Sequence, residues 1–290
     1  MFIQKSYNSD LESGILYLVG TPIGNLEDMT FRAIKILNEV DLIAAEDTRH
    51  TIKLLNHFNI HKKLISYHEH NKLSSGEELI KILKSGGKIA LVSDAGMPAI
   101  SDPGYELVRE AVNNRITVIP IPGANAAITG LVASGLETDK FTFIGFLPRE
   151  KKLLKEELNR IKTFEETMIF YEAPHRIGKT LVALNEILGD RNVTLIRELS
   201  KKHEEFIRGS LVEVIEYVEG TPLKGEITLI IEGADNTETD ESSLWWTELS
   251  ISEHVERYIS NGYPVKEAIK LTSLDRKLQK REVYQEYHNI

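Results

Sequence analysis

Three segments of the chain concentrate glycine, proline and small residues in a pattern that serves ligand binding better than simple chain reversal. VGTPIGNLEDMT, residues 19–30, sets Gly20 and Gly24 on either side of Pro22 and Ile23. A glycine turn at the carboxyl end of a first strand lets backbone approach a bound nucleotide closely. VSDAGMPAISDPG, residues 92–104, holds two glycines, two prolines and two aspartates in thirteen residues. A stiff loop of this kind lines a ligand with amides and carbonyls rather than long side chains. PIPGANAAITG, residues 120–130, opens a helix with small residues after Pro122 and Gly123 and leaves room for a flat ring against the backbone. Three such loops at the ends of successive strands converge on one cleft.

Other segments carry charge or imidazole. AEDTR, residues 45–49, puts Asp47 and Arg49 where a buried strand meets a helix, and reads either as a structural ion pair or as part of a site. APHRIGKT, residues 173–180, meets a relaxed phosphate-loop pattern with alanine for the first glycine. Pro174 removes an amide donor there and His175 and Arg176 are bulky, so an ordinary helix start is expected. SYHEHN spaces His68 and His70 two residues apart with no further ligands at comparable spacing. No metal is therefore expected; loop or substrate contacts are. The chain has no cysteine, which removes disulfides, thiolate zinc sites and cysteine nucleophiles, and fits a reducing cytoplasm.

The elements that position these loops follow from hydrophobic periodicity. Short β-branched runs at 15–19, 41–44, 88–92 and 116–119 alternate with amphipathic stretches at 30–38, 104–113 and 124–134. That βαβ rhythm predicts a mainly parallel sheet covered on both faces. A second series has strands at 141–146, 167–171, 192–198, 205–208 and 226–231 and helices at 151–162, 175–188 and 210–218, with antiparallel pairing of the later strands giving a mixed sheet. The fold class is thus α/β, with two domains at 14–135 and 140–233. GADNTETDESS then makes a polar acidic linker, and 244–290 reads as a helical appendage. Within that appendage Lys266, Lys270, Arg276, Lys277, Lys280 and Arg281 face only Glu267 and Asp275 between 264 and 281, which fits a solvated helix face or a phosphate-binding surface.

Composition sets the outer bounds. Of 290 residues, 35 are Lys or Arg and 44 Asp or Glu, a formal charge of −9, which argues against indiscriminate nucleic-acid binding and leaves no case for a DNA partner. No stretch approaches the ~18 uninterrupted apolar residues of a membrane span, so a soluble, cytoplasmic protein is expected.

Taken in order, VGTPIGNLEDMTFRA, AEDTR, SDAGMPAISDPG, PGANAA, FYEAPHR and GEITLIIEG resemble the tetrapyrrole methylase superfamily over residues 14–233. The closer likeness is to its ribosomal branch, the small-subunit rRNA (cytidine-2′-O)-methyltransferase I family, which 244–290 also resembles. The resemblance implies S-adenosylmethionine bound between two α/β domains, a homodimer, and 16S rRNA or the small ribosomal subunit as partner. It carries cofactor contacts onto Pro22, Ile23, Ala95, Gly96, Met97, Ile100, Ala126, Ala127, Glu172 and Ser200. One departure stands out: the superfamily commonly has Gly-Asp-Pro where this chain has Gly96-Met97-Pro98. Met97 offers no carboxylate, backbone contacts remain, and the change weighs against a tetrapyrrole substrate.

For such a reaction a ribose hydroxyl needs a proton acceptor. Glu172 and His175 are the first candidates and Asp47 the outsider, while Arg49, Arg176 and the 149–155 cluster would hold phosphates. The competing readings are a methylase of a small tetrapyrrole, a nucleotide hydrolase using APHRIGKT, and a non-catalytic ribosome-binding protein.

Overall fold

The computed structural model describes residues 1–6, 14–235, 245–246, 248–276 and 278–288. Residues 1–234 form one compact unit and 235–290 a second. The first unit opens with a sheet of β1 (Ile15–Val19), β2 (Leu42–Ala45), β3 (Lys63–Ser66), β4 (Lys88–Val92) and β5 (Thr117–Ile121). Its order is β3-β2-β4-β1-β5, with every pair parallel. All of β2 is buried, as befits a strand covered on both faces. Strand alternation sorts the side chains between two layers. Ile43, Ala45, Ala90 and Val92 pack with Ala33 and Leu37 of α1 (Phe31–Glu39) and Leu55 of α2 (Thr48–His57). Leu42, Ala44, Ile89 and Leu91 pack with Leu79 and Leu83 of α3 (Lys72–Lys84) and Leu107 and Ala111 of α4 (Tyr105–Asn113). Pro120 sits within β5 without harm because that strand is at the sheet's edge, where a missing amide leaves no partner unpaired.

Sequence periodicity finds four of these five strands. The edge strand β3 escapes it, because KLIS is too short to show a period and is only partly buried. The charged helix α2 and the glycine-containing α3 likewise go beyond the pattern.

The second sheet comprises β6 (Phe141–Phe146), β7 (Thr167–Glu172), β8 (Asn192–Arg197), β9 (Glu205–Ser210) and β10 (Ile227–Ile231), in the order β6-β7-β10-β8-β9. Only β6 and β7 are parallel, so the sheet is mixed as expected. One face is covered by α6 (Lys151–Ile161), α7 (Ile177–Leu188) and α8 (Leu211–Gly220), where Leu158, Leu181, Leu184 and Val214 meet Met168, Phe170, Leu195 and Leu229. The other face receives α5 (Ala126–Ser134), whose Ala127 and Leu131 pack on Ile169, Ile196 and Ile230. This helix follows β5 of the first sheet yet covers the second. Gly130 permits the close approach, since a Cβ there would lie 2.8 Å from Ile196 Cδ1.

In the second unit α9 (Ile251–Ser260), α10 (Val265–Asp275) and α11 (Lys280–His288) enclose a small core of Val255, Ala268, Ile269 and Val283. Ser250 and Glu253 close a capping box at the start of α9, satisfying two otherwise free amides. Arg276 is internal: its guanidinium donates to the carbonyls of Trp246, Leu249 and Ser250 and to Nδ1 of the buried His254. It is therefore withdrawn from the basic surface expected of 264–281, and Lys277 lies outside the described residues. So does most of the GADNTETDESS linker, together with Leu244. Among the described residues, no helix is long and apolar enough to cross a membrane.

Candidate active site

β1 and β4 are neighbours whose onward connections leave in opposite directions, toward β2 on one side and β5 on the other. In an α/β sheet such a switch point opens a crevice at the carboxyl ends of the strands. Here the crevice is built by laced loops. Thr21 donates its amide to the Gly96 carbonyl at 2.9 Å, and Gly96 returns the bond to Thr21 at 3.0 Å. The Thr21 hydroxyl donates to the Ser93 carbonyl at 3.3 Å. The turns after β1 and β5 touch through glycine: a Cβ on Gly123 would sit 2.8 Å from Gly20 Cα, and one on Gly20 would sit 2.8 Å from Gly123 Cα.

The result is a cavity of about 360 Å³, in the size range of small-molecule sites. Ile23 comes from the turn after β1, Ala95 to Met97 and Ile100 to Asp102 from the loop after β4, and Asn125 and Ala126 from the start of α5. The second sheet adds Phe146, the run from Tyr171 to Pro174, and Gly225 to Thr228. Gly96 has φ +79°, and a Cβ there would enter a cradle 3.4 Å from Ile23 Cγ2 and 3.6 Å from the Ala124 carbonyl. The wall is mostly apolar and backbone. Among the described residues it carries the carboxylates of Asp102, Glu172 and Glu226 and no lysine or arginine.

Of the residues expected from sequence, Ile23, Ala95, Gly96, Met97, Ile100, Ala126 and Glu172 meet around this cavity. Pro22 is the neighbour of Ile23 but not part of the wall. Ala127 points into the core against the second sheet, and its amide donates to Tyr171 Oη at 3.1 Å. Ser200 lies on a separate shallow depression with Asn25, His57 and Lys201, and its hydroxyl donates to Asp28.

The three catalytic candidates separate. Glu172 is 3% exposed; Thr180 Oγ1 donates to its Oε2 at 2.6 Å, the Ala173 amide to its Oε1 at 2.8 Å, and Arg176 lies 3.5 Å away. That carboxylate ties the end of β7 to the start of α7, which is how the APHRIGKT segment is used. Arg176 in turn donates to the carbonyls of Leu147 and Pro148, so its guanidinium is engaged within the fold. His175 is exposed and off the cavity wall. Asp47 caps α2, and its hydrogen bonds from Arg49 hold its carboxyl far below the usual carboxylate range. Asp47, His50 and Asp94 bring ligand atoms within 4.8 Å of one another, but His50 and Asp94 are exposed and Asp47 already serves Arg49, so the trio supports no metal site.

Four wall features lie beyond the sequence-based set: Asp102, Phe146, Tyr171 and the 225–228 strand start. Burial, with Glu46 and Asp94 nearby, pushes the Asp102 carboxyl up to about 6 against an opposing hydrogen bond from Ser93. Glu46 is itself raised, by burial and then by Asp94. The signal for Asp102 was its place in a loop of unusual turn content, but its environment comes from β2 and β4 together.

Residues 15–215 match the family of Tetrapyrrole (Corrin/Porphyrin) Methylases. The chain belongs to this family. Within it, the chain is 56% identical over 285 residues, 98% of both chains, to the ribosomal RNA small subunit methyltransferase I of Bacillus subtilis (strain 168). Among solved structures of the fold, a cobalt precorrin-4 methyltransferase superposes with a TM-score of 0.58 at 14% identity, covering 75% of this chain and 94% of its own. The uroporphyrin-III C-methyltransferase of Thermus thermophilus, complexed with S-adenyl homocysteine, superposes at 0.54 with 18% identity, covering 76% and 97%. The matched family region takes in the first sheet and the second as far as α8; β10, which completes the cavity wall, follows it in the chain.

Proposed function

We propose that the protein is an S-adenosylmethionine-dependent methyltransferase that modifies the ribose 2′-oxygen of a cytidine in 16S rRNA, acting in the cytoplasm as a homodimer. The observation that carries the reading is the cavity at the switch point, with its glycine cradle, its apolar and backbone wall, and carboxylates without a basic side chain. Such a wall favours a cationic adenosine derivative over an anionic nucleotide, whose phosphates would meet like charge. It therefore opposes the nucleotide hydrolase reading, as does the use of Thr180 to anchor Glu172.

Ile23, Ala95, Gly96, Met97, Ile100 and Ala126 would hold the cofactor. When bound, the cofactor supplies an electrophilic methyl group on a sulfonium. The protein's main task is to keep the acceptor oxygen in line with that methyl carbon, because orientation alone removes much of the barrier. A carboxylate aimed at the sulfonium would stabilise the reactant more than the transition state. Glu172 avoids this by directing its oxygens to Thr180 and the Ala173 amide. The domains at 14–135 and 140–233 would supply the two sides of the site. Exposed Arg149, Lys151, Lys152 and Lys155 follow Phe146 and its neighbours at the cavity rim and offer phosphate contacts. Lys266, Lys270, Lys280 and Arg281 offer more on the helical unit.

Incubation with labelled S-adenosylmethionine and small subunits from a strain lacking the enzyme tests the reading. Label is expected in 16S rRNA as an alkali-resistant dinucleotide, because a 2′-O-methyl group blocks hydrolysis at that linkage. Label confined to a base, or appearing only in a tetrapyrrole, would overturn it.

A further inference from the structure

We propose that Asp102 is a catalytic residue that takes the proton from the methyl acceptor, an assignment that rests on the methyltransferase reading of the same cavity. Four titratable side chains among the described residues line that cavity, and three are otherwise engaged. Glu172 is held by Thr180, the Ala173 amide and Arg176. Glu226 accepts from Lys201 Nζ at 3.0 Å and is 73% exposed. Tyr171 Oη accepts the Ala127 amide, and burial pushes its phenol further up. Asp102 remains, partly buried and on the wall.

Its backbone setting is unusual. Ala99 at φ 68° and Ser101 at φ 61° are both left-handed without being glycine, and Gly104 follows at φ 148°. Strain of this kind persists where surrounding structure fixes a functional group. The loop is fixed from both sheets: Gly96 is bonded to Thr21, and the Ser101 hydroxyl lies 3.5 Å from the Cβ position of Gly145 in β6.

The groups facing Asp102 are Glu46 from the end of β2, Ser93 and Asp94 from the end of β4, and Tyr171 from β7. Behind Glu46 stand Asp47 and His68, and Asp94 Oδ2 lies 3.2 Å from His50 Nδ1. Burial and the two acidic neighbours make Asp102 a stronger base than an ordinary aspartate while leaving it ionised at neutral pH. In the step, the acceptor oxygen bonds to the methyl carbon as the carbon–sulfur bond breaks with its electron pair on sulfur. The hydroxyl proton passes to the Asp102 carboxylate and later to solvent.

Asp102→Asn, Asp102→Glu and Glu46→Gln test this with single-turnover methylation across about pH 5 to 8.5, cofactor calorimetry, carboxyl-carbon NMR titration and thermal melting. Asp102→Asn should slow the chemical step by about 10²-fold or more with cofactor affinity unchanged, and Asp102→Glu should recover part of it. Wild-type rate should climb with pH and level off above about 6; Asp102→Asn should lose that profile. The carboxyl resonance should titrate near the same point and move down in Glu46→Gln. At about pH 8, Asp102→Asn should melt no lower than wild type, since it removes a desolvated charge among like charges; a scaffolding role would lower it. Undiminished turnover in Asp102→Asn, a rate loss tracking reduced cofactor affinity or stability, or an ordinary aspartate titration would overturn the assignment. If wild type methylates an acceptor other than rRNA, the rRNA reading fails and the comparison is made on that acceptor; if it methylates nothing, both fail.

Discussion

Glu172 and Asp102 show that two carboxylates on one cavity wall do different work according to their partners. A buried carboxylate persists only where donors replace water, and Glu172 has them in Thr180 and the Ala173 amide. Thr180→Val keeps the shape and removes one donor. It should lower unfolding free energy by about 1–3 kcal/mol in denaturant titration, with a smaller effect on the rate constant for methyl transfer than Asp102→Asn. Motif order made Glu172, Gly96 and Met97 legible in the sequence, because each is read from its immediate neighbours. It did not make Asp102 legible as a base, since Glu46 and Asp94 reach it only through the pairing of β2 with β4. The same limit applies to Arg276 and Arg176: a sequence shows positive charge, and only folding shows the carbonyls that consume it.

At the scale of elements, the site is made by loops whose spacing depends on bare backbone. The β1 and β5 turns meet at Gly20 and Gly123 with no space for a methyl group between them. Gly123→Ala must push backbone against backbone, and overpacking of that sort costs about 1–3 kcal/mol. Cofactor affinity measured by calorimetry should fall by roughly 10-fold or more, with a lower melting temperature, while the secondary-structure signal is retained. The strands that carry these turns were legible because β1, β4 and β5 are bounded by glycine and proline. Edge strand β3 was not, being four residues long. The destination of α5 was also hidden, because a helix of alanine, glycine and branched apolar residues has no marked polar face to orient it.

For the whole molecule, residues 1–234 contain both sheets, all of the cavity wall and their own cores, and 235–290 have a separate core. A chain ending at Ala234 should keep its melting transition and cofactor affinity but bind small subunits more weakly. Its salt dependence should flatten, the slope of log K against log salt changing by about 0.7–0.9 for each phosphate that the shortened chain no longer neutralises. Filter binding across a salt series checks this; an unchanged slope would show that 245–290 neutralise no phosphates.

The placement of α5 bears on how this architecture can be re-engineered. The helix is donated by the first half of the chain and seated on the second, with Ala127 and Leu131 among Ile169, Ile196 and Ile230. The halves are consequently not modular. A chimera that joined 1–135 to a foreign successor would have to supply a matching seat for those two side chains, or leave an oily rod without a host.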